Sequence, residues 1–151
     1  MNEINTVAAI DCGTNSIRLL ISRGGTEIIR EMEIVKLGEG VDRTKNFSEA
    51  AVARTLKAVE KYKKLIDQHQ VSKVRFCATS ATRDAQNREI FTEPVAKILG
   101  VLPEVIVGTE EAALSFLGAT AELSRDLAPF LVVDIGGGST EFVFGTDEVE
   151  A

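Results

Sequence analysis

Apolar and polar positions alternate early in this chain in a way that predicts strands before helices. Val7-Ala8-Ala9-Ile10 leads into Asp11, a polar turn follows, and Ile17-Arg18-Leu19-Leu20-Ile21 returns, so residues 6 to 23 predict a β-hairpin. Gly24-Gly25 marks the next turn. A third strand is predicted from Thr26 to Leu37, with Ile28, Ile29, Ile34 and Val35 supplying β-branched side chains, and Gly38-Glu39-Gly40 ends it. Residues 41 to 47 read as a polar loop. Ser48 then offers an N-cap, and Val52, Leu56, Val59, Tyr62 and Ile66 recur at helical spacing as far as about His69.

Beyond that helix the period shortens again. Val74 to Ala78 predicts a strand reached by a crossover, which should pair in parallel with the first. Residues 79 to 84 read as a loop at its carboxyl end. Residues 87 to 99 carry a helical pattern that Pro94 should break or split in two, and Gly100 closes it. Val105-Ile106-Val107 predicts another strand, and Thr109 a cap for a helix from Glu110 to about Leu123. A short linker leads to a second hairpin from about 130 to 145. The order βββαβαβα predicts an α/β, ribonuclease-H-like lobe over residues 1–126, with a mixed five-stranded sheet and flanking helices. Residues 127–151 read as the opening β-hairpin of a second lobe. Two strands cannot bury a core of their own. The expectation is therefore a fragment, or completion by another chain, with self-association through open strand edges.

The two hairpins share a grammar that goes beyond fold. In Ile10-Asp11-Cys12-Gly13-Thr14-Asn15-Ser16 and Val133-Asp134-Ile135-Gly136-Gly137-Gly138-Ser139, an apolar strand delivers an aspartate and then a glycine-bearing turn. Glycine lets backbone N–H groups approach an anion, and a carboxylate can hold a cation that offsets phosphate charge. A hairpin turn that merely needs glycine explains one copy; two copies predict two phosphate-holding turns facing one cleft. Arg83 follows a strand's carboxyl end, where ligands of open sheets bind. It reads either as a phosphate clamp or as a surface arginine. Glu110 and Glu111 open a helix, where the macrodipole alone favours acids; a carboxylate there would equally suit a base acting on water. The lysines at 57, 61, 63 and 64 read as a solvated face, and His69, the only histidine, carries no catalytic role.

Composition narrows the partners. Among 151 residues the formal net charge is -6, against the basic face that nucleic acid requires. Inside an anion-binding cleft, a metal ion and a few arginines would have to reverse that field. No apolar run approaches the roughly 20 residues of a membrane span, and the first residues lack the pattern of a signal peptide. Cys12 and Cys77 form neither a disulfide framework nor a metal spacing. A cytoplasmic protein is expected.

Four segments in order carry a resemblance: residues 11–16, residues 79–83, Gly108-Thr109-Glu110-Glu111-Ala112, and residues 134–141. Together they resemble the exopolyphosphatase and guanosine pentaphosphate phosphohydrolase family of the actin-like ATPase superfamily. Cys12 and Thr109 depart mildly from commoner family residues. The resemblance implies that Glu111 activates the attacking water. It places Asp11 and Asp134 beside Mg²⁺, with Glu141 supporting that site. It also implies that Gly13, Thr14, Asn15 and Ser16, together with Gly136, Gly137, Gly138 and Ser139, hold phosphates with help from Arg83. The implied reaction releases terminal phosphate from inorganic polyphosphate, guanosine pentaphosphate or both. Two alternatives stay open: an ATP-dependent sugar or acetate kinase of the same superfamily, and a polyphosphate- or alarmone-binding module without turnover.

Overall fold

The computed structural model describes residues 5–146. Strands β1 (Thr6–Cys12), β2 (Ser16–Arg23) and β3 (Thr26–Ile34) form an antiparallel meander. The third strand stops short of the expected Leu37 because Lys36 takes a positive φ of 48°, which extended backbone cannot hold. Where a polar loop was expected, residues 41–44 make a one-turn helix, α1 (Val41–Thr44). Val41 and Phe47 are buried there, and Gly40 enters the turn at φ 83°, a conformation glycine adopts without strain.

Helix α2 (Glu49–Gln68) starts at Ser48, whose side chain accepts from the N–H of Ala51. Its buried face, with Val52, Val59, Tyr62 and Ile66, covers the inward side chains of the sheet. Those come from alternate positions of β1 and β2: Ala8, Ile10 and Cys12, then Ile17, Leu19 and Ile21. Period-two alternation thus fixes which face each residue serves, and it leaves Asp11 on the opposite face from Ile10.

Strand β4 (Lys73–Ala78) runs parallel to β1, as a crossover through α2 requires. It is followed by a short helix, α3 (Ser80–Asp84), in place of the expected loop. Helix α4 (Glu89–Leu99) is continuous through Pro94, which corrects the predicted break. Proline removes one ladder bond there, while Phe91, Val95 and Leu99 bury one continuous stripe that holds the helix together. Strand β5 (Glu104–Val105) is only two residues long. Helix α5 (Gly108–Thr120) begins after Val107 without a side-chain cap, so Thr109 lies inside the helix rather than before it.

The sheet order is β3-β2-β1-β4-β5, parallel only across β1, β4 and β5. This is the mixed five-stranded, ribonuclease-H-like arrangement that the element order predicts. Strands β6 (Phe130–Ile135) and β7 (Thr140–Gly145) pair in a separate two-stranded sheet against α5. One face of that hairpin turns Leu131, Val133, Ile135, Phe142 and Phe144 outward into solvent. Among the described residues no helix is long and apolar enough to cross a membrane.

Two buried hydroxyls test this packing. The Tyr62 hydroxyl, fully buried, donates to the carbonyl of Ile17 at 2.9 Å and so ties α2 to β2. Burial, seconded by the carboxylate of Glu33, pushes its pKa up to about 12 from 10. The unfolded chain therefore releases this proton first. Stability present below pH 10 is lost as pH rises toward 12, by roughly 2–3 kcal/mol at the end of that window. Tyr62→Phe should cost about 1 kcal/mol at neutral pH and flatten that alkaline limb in urea titrations. An unchanged limb would contradict the assignment. The hydroxyl of Thr82, by contrast, is buried with no hydrogen-bond partner. Thr82→Val keeps the shape and removes an unpaid desolvation, so melting should rise by the equivalent of about 1 kcal/mol; a fall in Tm would reveal a partner for the hydroxyl.

Candidate active site

The sheet delivers Asp11 near the carboxyl end of β1, and the second hairpin delivers Asp134 near the end of β6. Each aspartate stands two residues before a glycine and five before a serine. The turns close in the same way: the N–H of Gly13 donates to the carbonyl of Ser16 at 3.0 Å, and that of Gly136 to Ser139 at 2.9 Å. Local sequence therefore dictates the same loop twice.

Neighbouring segments buttress the first turn. The carbonyl of Thr14 accepts from Gly38, and that of Asn15 from both Val35 and Lys36, each at 2.9 Å. The Thr14 hydroxyl shares a 2.9 Å bond with that of Ser80 at the start of α3. The two turns also abut. A Cβ added at Gly138 would sit 2.7 Å from Thr14 Oγ1 and 2.9 Å from Ser80 Oγ, and one at Gly137 would overlap the Asn15 amide. A side chain at 137 or 138 would thus have to displace Asn15, or Thr14 and Ser80, where the loops approach.

A cavity of about 570 Å³ opens beside these turns, lined in part by Asp11, Thr79, Glu111, Ser115 and Asp134. Partial burial raises the pKa of Asp11; Arg18, in a 3.4 Å ion pair, opposes that rise, and the neighbouring carboxylate of Asp134 adds to it. Asp134 itself accepts a hydrogen bond from Ser115 Oγ at 2.7 Å. Glu141 lies directly across the β6–β7 ladder from Asp134, half-buried on the same face. Among the described residues, no three His, Cys, Asp or Glu side chains converge as a metal cage. Two neighbouring aspartates, of which only Asp11 is paired with an arginine, nevertheless fit Mg²⁺, which takes one or two carboxylates and completes its shell with water and phosphate oxygens.

The tandem acids on α5 separate cleanly. Glu110, itself not a lining residue, pairs at 2.7 Å with Arg75, which does line the cavity. Glu111, only 17% exposed at its side chain, accepts from Arg83 Nη1 at 2.9 Å. The same nitrogen donates to the carbonyl of Ile106 at 2.7 Å. Arg83 is therefore engaged with Glu111, a cavity-lining residue, without itself lining the cavity.

Of the residues singled out in the sequence, Asp11, Asp134 and Glu111 line the cavity, while the turn residues 13–16 and 136–139 and Arg83 are not among its lining residues and Glu141 stands across the ladder from Asp134. Sequence reasoning missed Ser80, Gly38 and Ser115. A Cβ at Gly38 would meet the Thr14 side chain at 2.5 Å, a contact no local pattern announces. Ser115 had a signal: it stands one helical turn after Glu111 and so shares its face.

The chain resembles known proteins in both sequence and fold. The description of the Ppx/GppA phosphatase family matches residues 21–151. The protein named Exopolyphosphatase 2 from Mycobacterium tuberculosis is 51% identical over 161 residues, covering 98% of this chain and 50% of that protein. The crystal structure of an exopolyphosphatase-like protein superposes with a TM-score of 0.94 at 50% identity, covering 99% of this chain and 49% of that one. The crystal structure of the Aquifex aeolicus member of the Ppx/GppA family gives 0.83 at 37% identity, covering 98% and 50%. The chain spans about half the length of these relatives.

Proposed function

The chain belongs to the Ppx/GppA phosphatase family, and from that premise we propose that it supplies the catalytic face of a phosphohydrolase. The reaction removes the terminal phosphate of inorganic polyphosphate, guanosine pentaphosphate or both. The observation that supports it most is that Asp11, Asp134 and Glu111 line one and the same cavity.

In this reading the turns at Gly13, Thr14, Asn15 and Ser16 and at Gly136, Gly137, Gly138 and Ser139 hold phosphate oxygens through backbone and hydroxyl donors. Glu111, aimed by its 2.9 Å bond from Arg83, takes a proton from water as that water attacks the terminal phosphorus. The bond to the bridging oxygen breaks, and its electron pair leaves with the shortened chain. Arg83 carries five donors in a planar fork, so the rest of that fork is available to the transferring phosphoryl group. Mg²⁺, held by Asp11 and Asp134 with Glu141 behind them, would offset charge on the phosphates. The same reading makes residues 1–126 one lobe and residues 127–151 the opening hairpin of a second, whose core would cover the apolar face of β6–β7.

The test is Mg²⁺-dependent phosphate release by this chain alone and fused to the C-terminal half of a full-length relative. Polyphosphate, guanosine pentaphosphate and ATP would be compared. Release from either of the first two supports the proposal and names the substrate. Turnover of ATP alone with a sugar or acetate acceptor would replace it with kinase chemistry, and binding of polyphosphate without release would replace it with a binding module.

A further inference from the structure

Serine in the middle of a helix usually spends its hydroxyl proton on the carbonyl one turn back. Helix α5 shows that habit at Thr120, which donates to Phe116, and α2 shows it at Thr55, which donates to Ala51. Ser115 does otherwise. Its proton goes to the Asp134 carboxylate, on a strand 19 residues away in sequence. The bond joins the five-stranded sheet's last helix to the separate β6–β7 hairpin.

Ser115 and Glu111 stand four residues apart on α5, one above the other on the same face at a rise of about 6 Å. A single rigid helix therefore carries the base and the group that grips Asp134. Each carboxylate oxygen has two lone pairs, so Asp134 can accept this proton and still offer lone pairs to a cation. An aspartate at the end of a strand that leads into a glycine turn has little else to fix its rotamer.

We infer that Ser115 is a positioning residue, holding the Asp134 carboxylate in the orientation that receives a divalent cation, at a fixed distance from Glu111. The inference deepens the proposed function and rests on its reading of Asp134 as a metal-holding group. Groups that orient a ligating carboxylate are worth about 10–100-fold in metal affinity.

The experiment is a Mn²⁺ titration followed by electron paramagnetic resonance on the 151-residue chain and on its Ser115→Ala and Ser115→Thr variants. Mn²⁺ alone is the probe, so no turnover is needed. Ser115→Ala should weaken Mn²⁺ binding by about 10–100-fold, and Ser115→Thr, which keeps the hydroxyl, should restore most of it. Alanine is the better helix former, so the Ala variant should melt no lower than wild type. Binding by Ser115→Ala as tight as wild type overturns the inference, as does a Thr variant as weak as Ala. A wild-type chain that binds no Mn²⁺ overturns the metal reading of Asp134 and takes this inference with it, an outcome distinct from the other two.

Discussion

Glu111→Gln should lower phosphate release by about 10²–10⁴-fold, the scale of losing a general base. The amide is isosteric and its oxygen still accepts from Arg83 Nη1, so the 2.9 Å contact can persist while the proton acceptor is gone. The neighbouring acid provides the control. Glu110 is half-exposed and pairs with Arg75, itself also bonded to Glu104. Exposed pairs of this kind contribute less than about 1 kcal/mol, and Glu110→Gln should leave the rate nearly unchanged. Equal losses at both positions would remove Glu111 from its role. Measurement of kcat on polyphosphate for the three fused proteins decides it.

Phe91→Ala should cost about 3–5 kcal/mol of stability, the range for emptying a buried aromatic site. Phe91 is fully buried and meets two other rings edge-on, Phe47 at 6.0 Å and Phe76 at 6.2 Å between centroids. Those rings come from different parts of the fold. Phe76 lies on β4, whose end leads to Thr79 and Arg83. Phe47 precedes α2, and its backbone is held at both N–H and carbonyl by the Asn87 side chain. Truncation therefore opens a void where three segments meet, with no single element free to collapse into it. Against a typical total of about 5–15 kcal/mol, such a loss brings the chain near its unfolding threshold. Urea denaturation reads it directly, and a change below about 1 kcal/mol would show that the three-ring cluster is not part of the core. Activity lost in this variant should track the folded fraction, unlike that lost on Glu111→Gln.

What was legible in the sequence follows from which interactions are local. The period-two runs of β1 and β2 and the heptad-like stripe of α2 are determined by burial on one face, so their extents match the structure within a few residues. The two aspartate–glycine turns were legible because their geometry is set within six residues, as the matching Gly13–Ser16 and Gly136–Ser139 bonds show. Pro94 misled because propensity was weighed without the stripe of Phe91, Val95 and Leu99 that overrides it. The polar stretch 41–47 misled because it holds only two apolar anchors, Val41 and Phe47. Pairings across the chain were invisible: nothing local links Thr14 to Ser80, Arg83 to Glu111 or Ser115 to Asp134. Choosing Glu111 over Glu110 needed the family resemblance, since both fit a helix's first turn. The geometry now separates them by their arginine partners.

The most direct test of the central claim, water attack at the terminal phosphorus within the Asp11–Glu111–Asp134 cavity, is a single turnover of polyphosphate by the fused protein in ¹⁸O-water. The account predicts one ¹⁸O atom in each orthophosphate released and none at the new end of the shortened chain. Label at the chain end instead would place the attack on the penultimate phosphorus, and that result would contradict the mechanism.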